Sequence, residues 1–262
     1  METKNSSTLL KIGEDIIFST CGLDYELKNG QVYTAEWDYG ADRIKLKESS
    51  ALQLPNKLYI TNEDEKFMNR VLTHFNKSEK STGVMLAGTK GTGKTVLAKQ
   101  IAIRSDLPIL TIDKSLHPRY LKNLFEKLEN VNMCIVIDEI DKLGENYDDS
   151  FMLQVFDGIS ASGKHLILTT CNNTDNVNEY LLDRCSRIRY YRTFEEMSQE
   201  MVKNILDDRL NDKTKAQSLS DFIIKSFACV SFDNVVSFAE EVNDYPEESY
   251  TSLFNDMNIS ER

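Results

Sequence analysis

The sequence predicts an α/β fold: a parallel sheet covered by helices, with a small C-terminal helical lid and an N-terminal antiparallel β element. Three observations predict it. Between residues 55 and 193 short apolar runs alternate with segments of helical spacing, the pattern of strands buried on both faces by crossover helices. From Phe194 onward the apolar runs stop and only helical spacing remains. Before Pro55 apolar and polar residues alternate, which is the period of half-exposed strands. The organisation is therefore 1–54 for the β element, 55–193 for the α/β module and 194–262 for the lid.

The elements follow in order. Met1 to Thr8 read as a disordered start, and Ile16-Ile17-Phe18 opens the β region. Tyr25 to Thr34 alternates around Asn29-Gly30, the short-range signal of a hairpin. Thr34 to Trp37 and Arg43 to Lys47 alternate again across Tyr39-Gly40-Ala41-Asp42. A few strands bury little alone, so this sheet must pack on the next domain or on a neighbouring subunit. Lys57 to Ile60 reads as a short strand. Thr61 and Asp64 form an [ST]-x-x-[DE] cap for a helix with Phe67, Val71, Leu72 and Phe75 on one face.

Gly83 to Ala87 is a buried strand, and Val96, Leu97, Ile101 and Ala102 mark the helix after it. Pro108 to Ile112 is the next strand, ending at Asp113, and Tyr120 to Leu128 the next helix. Met133 to Ile137 is an unbroken apolar run, as a central parallel strand requires. Phe151 to Phe156 reads as helical, His165 to Thr170 as a strand, and Arg187 to Tyr191 as the last strand. In the lid, 195–210, 219–228, 234–242 and 250–257 read as helices, with Ser231 capping the third.

Between the Gly83 strand and its helix lies Gly88-Thr89-Lys90-Gly91-Thr92-Gly93-Lys94-Thr95, a full G-x-x-x-x-G-K-[ST] phosphate loop continued by Val96. Glycines let backbone N–H groups turn inward into an anion nest, and the helix points its positive end at the same place. Lys94 can reach terminal phosphates and the Thr95 hydroxyl can ligate Mg²⁺. The apolar run ending at Ile137 delivers Asp138 and Glu139 at the carboxyl edge of the sheet, where ligands of open α/β sheets sit. Asp138 would hold Mg²⁺ and Glu139 would polarise an attacking water. Asn172, with Asn173 competing one residue on, follows the next strand and could orient that water. Arg184 and Arg187, three apart before the last strand, are candidates for an arginine finger acting on a neighbouring subunit's phosphates.

The 262 residues carry a net charge of −11, which argues against a duplex-binding surface. Five cysteines form no C-x-x-C, and His74, His117 and His165 lie far apart. That suggests reduced thiols, a cytoplasmic setting and no His-based metal site. Met1 to Ile17 lacks the apolar core of a signal peptide, and no run approaches the ~18 apolar residues of a spanning helix.

Five segments, in this order, resemble the AAA+ ATPases and their AAA subgroup. They are Gly88–Thr95, Ile135-Val-Ile-Asp-Glu-Ile-Asp141, Val155-Phe-Asp-Gly-Ile159, Leu168-Thr-Thr-Cys-Asn-Asn173 and Leu181-Leu-Asp-Arg-Cys-Ser-Arg-Ile188. The spacing is most similar to the mitochondrial respiratory-complex assembly branch and to divergent phage-encoded relatives. The resemblance implies a P-loop NTPase fold, ATP and Mg²⁺ as cofactors, and a ring, usually a hexamer, with ATP between subunits. It carries over Lys94, Thr95, Asp138, Glu139 and Asn172 at their own positions, and sends Arg184 and Arg187 into the neighbour's site. Three departures stand out. Thr89-Lys90 replaces the family's Pro-Pro, the lid has no Gly-x-Arg, and the segment between Asp113 and Tyr120 lacks an aromatic-apolar-Gly pore signature, with His117 and Tyr120 its only bulky residues.

The function expected is therefore an Mg²⁺-dependent ATPase that forms a homo-oligomeric ring and moves or assembles a protein partner. Two alternatives stay open: a nucleic-acid motor resembling a clamp loader, disfavoured by the acidic balance, and a scaffold that uses ATP only to hold an oligomer together.

Overall fold

A computed structural model describes residues 8–19, 25–112, 116–144, 163–172 and 187–262. The expected helix at 151–156 lies outside the described residues. The chain divides into two compact units, the first made of 1–54, 67–87 and 95–192, the second of 55–66, 88–94 and 193–262.

The first unit is built on a mixed sheet. Its strands are β1 (Thr8–Ile12), β2 (Asp15–Ser19), β3 (Val32–Asp38), β4 (Arg43–Ser49), β5 (Thr82–Gly88), β6 (Ile109–Ile112), β7 (Met133–Ile137), β8 (His165–Cys171) and β9 (Tyr190–Phe194). They lie in the order β1-β2-β4-β3-β6-β7-β8-β5-β9. β6, β7, β8 and β5 pair in parallel. Every residue of β7 and β8 is buried, so the apolar runs are the consequence of cover on both faces. Helix α1 (Asn62–Lys77) begins at a reciprocal capping box. The Asp64 amide donates to Thr61 Oγ1 at 3.1 Å and the Thr61 amide to Asp64 Oδ2 at 2.9 Å. Helix α2 (Lys94–Arg104) buries Leu97, Ala98, Ile101 and Ala102.

β1 to β4 join this same sheet. β3 pairs antiparallel with β4 and parallel with β6, Val32 opposite Ile109. Tyr33, Ala35, Ile44 and Leu46 share one core with Leu110 and with Leu121, Leu124 and Phe125 of helix α3 (Leu121–Lys127). A single 3₁₀ turn at Pro118–Tyr120 leads into α3. Tyr120 stacks on Trp37, ring centroids 3.8 Å apart and planes 8° from parallel. The outer face of these strands is charged and paired. Lys45 meets Asp15 at 3.1 Å and Lys47 meets Glu36 at 3.1 Å.

Four local expectations differ from the structure. The β region opens with β1 at Thr8, ahead of Ile16-Ile17-Phe18, which pairs with it as β2. The Asn29-Gly30 turn forms, with Gly30 at φ 73°, but residues 25–28 are not a strand. β3 has β4 on one edge and β6 on the other, so the chain before the turn has no edge to pair with. Residues 57–60 are not a strand either. Lys57 and Tyr59 instead anchor on Asp208, the Tyr59 hydroxyl at 2.8 Å. The last strand begins at Tyr190, three residues later than expected. Residues 187–189 first cross Gly83, where an added Cβ would stand 2.0 Å from the Arg187 carbonyl oxygen.

In the second unit, helices α4 (Gln199–Arg209), α5 (Ala216–Ser226), α6 (Phe232–Asp244) and α7 (Tyr250–Asp256) surround their own core. Val202, Leu219, Phe227, Phe238 and Phe254 fill it, with Phe227 5.3 Å from both Phe238 and Phe254. Ser198, Ser231 and Ser249 cap three of the helices by accepting backbone amides. A short helical turn at Ile140–Gly144 follows β7 in the first unit. Among the described residues, no helix is long and apolar enough to cross a membrane.

Candidate functional site

The phosphate-loop sequence takes the backbone that its glycines permit. Gly88, Gly91 and Gly93 have φ of 128°, 75° and 98°, a region that side-chain-bearing residues rarely adopt. Two of these glycines are also fixed by crowding. A Cβ on Gly88 would lie 2.1 Å from the Phe194 carbonyl oxygen, and one on Gly91 would lie 2.7 Å from Ser231 Cβ. Hydrogen bonds hold the loop within the second unit. The Thr89 amide donates to Phe194 O at 2.9 Å, and the Phe232 amide, at the start of α6, donates to Gly91 O at 3.0 Å.

Lys94 is buried, and its ammonium curls over its own loop. It donates to the carbonyl oxygens of Gly88 at 2.7 Å and Thr89 at 2.6 Å. Thr92 closes the turn by donating to Thr89 O at 2.7 Å. Thr89 and Lys90 are exposed, and Val96 is half-buried.

In the first unit Thr95, Asp138, Glu139 and Asn172 form one hydrogen-bonded cluster. β7 leaves the sheet at Ile137, so Asp138 stands exposed at its carboxyl end. Thr95 Oγ1 donates to Asp138 Oδ1 at 2.9 Å. That bond uses the hydroxyl proton and leaves oxygen lone pairs for another partner. Glu139 is half-buried. Its Oε1 accepts from Asn172 Nδ2 at 2.9 Å, and its Oε2 pairs with Lys142. The Asn172 amide donates to Asp141 Oδ1 at 3.2 Å. Adjacent strands thus tie the end of β8 to the turn after β7.

The donor set tests whether Mg²⁺ fits. Mg²⁺ takes hard oxygens, keeps several waters and is usually held by one or two carboxylates plus substrate phosphates. A threonine hydroxyl beside one exposed carboxylate suits that arrangement. Among the described residues no cluster of three or more His, Cys, Asp or Glu could hold a metal without such a ligand.

The other residues read from the sequence fall elsewhere. Arg187 is buried, with 8 % of its surface exposed, beside Gly83 near the start of β5. Gly88, at the far end of that strand, is five residues on, about 17 Å at the usual rise of a strand. Arg184, Asn173 and Asp113 lie outside the described residues. The His117 ring meets the Tyr120 ring edge to face, and Tyr120 stacks on Trp37. Of the described cysteines, Cys134 and Cys171 are buried and Cys229 half-buried, and burial pushes the Cys134 thiol far up.

Sequence reasoning missed Lys142 and Thr170. The Glu139 amide donates to Thr170 Oγ1 at 2.8 Å, and that hydroxyl donates in turn to Asp138 Oδ1. The available signal was a pair of hydroxyl residues, Thr169-Thr170, closing an otherwise apolar strand.

Comparisons with known proteins give the following. Residues 84–193 match the model of AAA, the ATPase family associated with various cellular activities. The ATP-dependent zinc metalloprotease FtsH of Photobacterium profundum is 30% identical over 123 residues, 38% of this chain and 18% of the relative. The ATPase family gene 2 protein of Saccharomyces cerevisiae is 31% identical over 119 residues, 38% of this chain and 15% of the relative. The chain thus spans less than a fifth of these relatives' length. A solved structure from work on katanin self-assembly aligns with a TM-score of 0.49 at 20% identity, covering 78% of this chain and 82% of that chain.

Proposed function

We propose, taking as premise that residues 84–193 place this chain in the AAA+ superfamily of ATPases, that it is an Mg²⁺-dependent ATPase. It works as a homo-oligomeric ring, with a hexamer expected, and uses hydrolysis to remodel or assemble a protein partner. The observation that supports this best is the hydrogen-bonded set Thr95–Asp138 and Glu139–Asn172. These four residue types suit hydrolysis of a triphosphate; Asp138, Glu139 and Asn172 stand at the carboxyl ends of two neighbouring strands, and Thr95 in the first turn of α2.

The roles follow from chemistry. Loop amides and the α2 N-terminus bind the phosphates. Lys94, now on neutral carbonyl oxygens, turns to phosphate oxygens, which are stronger acceptors for an ammonium. Thr95 and Asp138 would hold Mg²⁺, whose charge would offset that developing on the phosphates. Glu139 takes a proton from the attacking water, and Asn172, already on its carboxylate, orients the pair. Arg184 and Arg187 are the candidates for a finger reaching a neighbour's nucleotide. The burial of Arg187 in its own protomer makes Arg184→Ala the more informative substitution.

Two measurements test the reading. Lys94→Ala should weaken binding of a fluorescent ATP analogue by about a hundredfold or more while leaving the fold intact. Phosphate release per wild-type subunit should rise with protein concentration as rings assemble, and Arg184→Ala should abolish that rise. Specific activity that stays constant through association would overturn the ring-borne finger. Tight nucleotide binding by Lys94→Ala would overturn the site.

A further inference from the structure

We infer that Thr170 is a positioning residue for the acidic pair, fixing the carboxylate of Asp138 and the backbone of Glu139 with one hydroxyl. The inference rests on the ATPase reading above, because it concerns how that site is held ready. A threonine hydroxyl has one proton to give and lone pairs to receive. Thr170 uses both, accepting the Glu139 amide at 2.8 Å and donating to Asp138 Oδ1.

The register explains why this residue does it. Ile137 is opposite Thr169 in the β7–β8 pairing, so Thr170 comes beside the first residue to leave β7. Its side chain is 2% exposed, which keeps water from competing for either bond. Asp138 Oδ1 receives a second hydroxyl proton from Thr95 at 2.9 Å. One carboxylate oxygen is therefore gripped from two elements, α2 and β8.

Glu139 supplies the second line of argument. Its φ is 51°, a left-handed conformation that a non-glycine residue keeps only where its surroundings over-determine it. The bond to Thr170 restrains its amide, and the Lys142 amide restrains its carbonyl oxygen at 2.9 Å. Without the Thr170 hydroxyl, the turn loses the restraint on its amide side, and Asp138 loses one of its two donors. The pair would then have to be ordered by the ligand itself, which weakens preorganisation.

Thr170→Val keeps the shape and removes only the hydroxyl, and Thr170→Ser restores it. Three readouts separate positioning from general damage. In nucleotide-free protein, NMR-detected exchange of the Glu139 amide should quicken about tenfold or more in Thr170→Val. The Mg²⁺ concentration that half-saturates binding of a fluorescent ATP analogue should rise about tenfold, with binding in EDTA unchanged. Turnover should fall about ten- to a hundredfold, and Thr170→Ser should return all three to near wild type. If Thr170→Val does not fold, Thr170→Ala carries the same measurements.

Wild-type amide exchange together with wild-type Mg²⁺ dependence in the valine variant would overturn the proposal. So would an equal loss of binding in EDTA, which marks a general defect of the fold. If wild-type protein neither binds nor hydrolyses ATP, the ATPase reading fails, and the amide exchange alone decides the role of Thr170.

Discussion

One sheet holds two kinds of strand. β5, β7 and β8 are buried along nearly their whole length and end in the residues with chemistry to offer. β4 is buried on alternate residues and β3 nearly so, Val32 at the β6 seam being buried beside Tyr33 and Ala35, and their outer face carries ion pairs. The two groups join at a single parallel seam, β3 against β6. The difference teaches that apolar period records how many faces of a strand are covered, and not which sheet the strand belongs to. The alternation in residues 32–49 was legible as β structure, yet its membership in the central sheet was not. Strand pairing between residues 32 and 109 is a long-range fact, and local pattern carries no information about it.

The contrast predicts separable effects, and the largest concerns the central strands. Glu139→Gln keeps the hydrogen-bonding shape of the side chain but removes the base. Turnover should fall by about 10²–10⁴-fold, while nucleotide binding persists and the ring is trapped loaded. Steady-state phosphate release beside analogue binding reads both quantities. Parallel loss of binding and turnover would mean that Glu139 holds the fold and not the water.

The same distinction explains which site residues could be read early. Lys94, Thr95, Asp138 and Glu139 sit in contiguous motifs, so their spacing was enough to single them out. Asn172 needed only the position of a strand end. Thr170 and Lys142 act through contacts across strands or around a turn, and their residue types are ordinary in such places. Thr61, Asp64 and Ser231 were readable because caps are local hydrogen bonds between residues three apart. The β9 boundary was not, because residues 187–189 are held by Gly83, a hundred positions away in sequence.

Next in size is the buried face of the N-terminal strands. Leu46 on β4 is 0 % exposed and packs in the core shared with α3. Leu46→Ala should destabilise the protein by about 2–5 kcal/mol. Turnover per folded molecule should stay near wild type, since no site residue lies on β4. Urea unfolding with a parallel activity assay measures the two. A variant of unchanged stability but lost activity would assign these strands a part in the chemistry.

The smallest effect belongs to the exposed pairs of the same strands. Glu48 on β4 accepts from Lys11 Nζ at 2.5 Å and from the Tyr25 hydroxyl at 3.0 Å. The Lys11 bond first, then the Tyr25 bond, holds its carboxyl below the ordinary value of 4.5. A folded-state value below the unfolded one means the pair stabilises the protein above the ordinary value, and that this contribution is lost as pH falls through the depressed one. Glu48→Gln should therefore lower the urea midpoint slightly near neutral pH, and the difference from wild type should close as pH falls below the ordinary carboxylate range. Because the pair is open to solvent, salt should shrink the neutral-pH difference as well. A difference that instead widened in acid would mean that Glu48 is held in its protonated form, and the ladder on this face would then not be one of ion pairs.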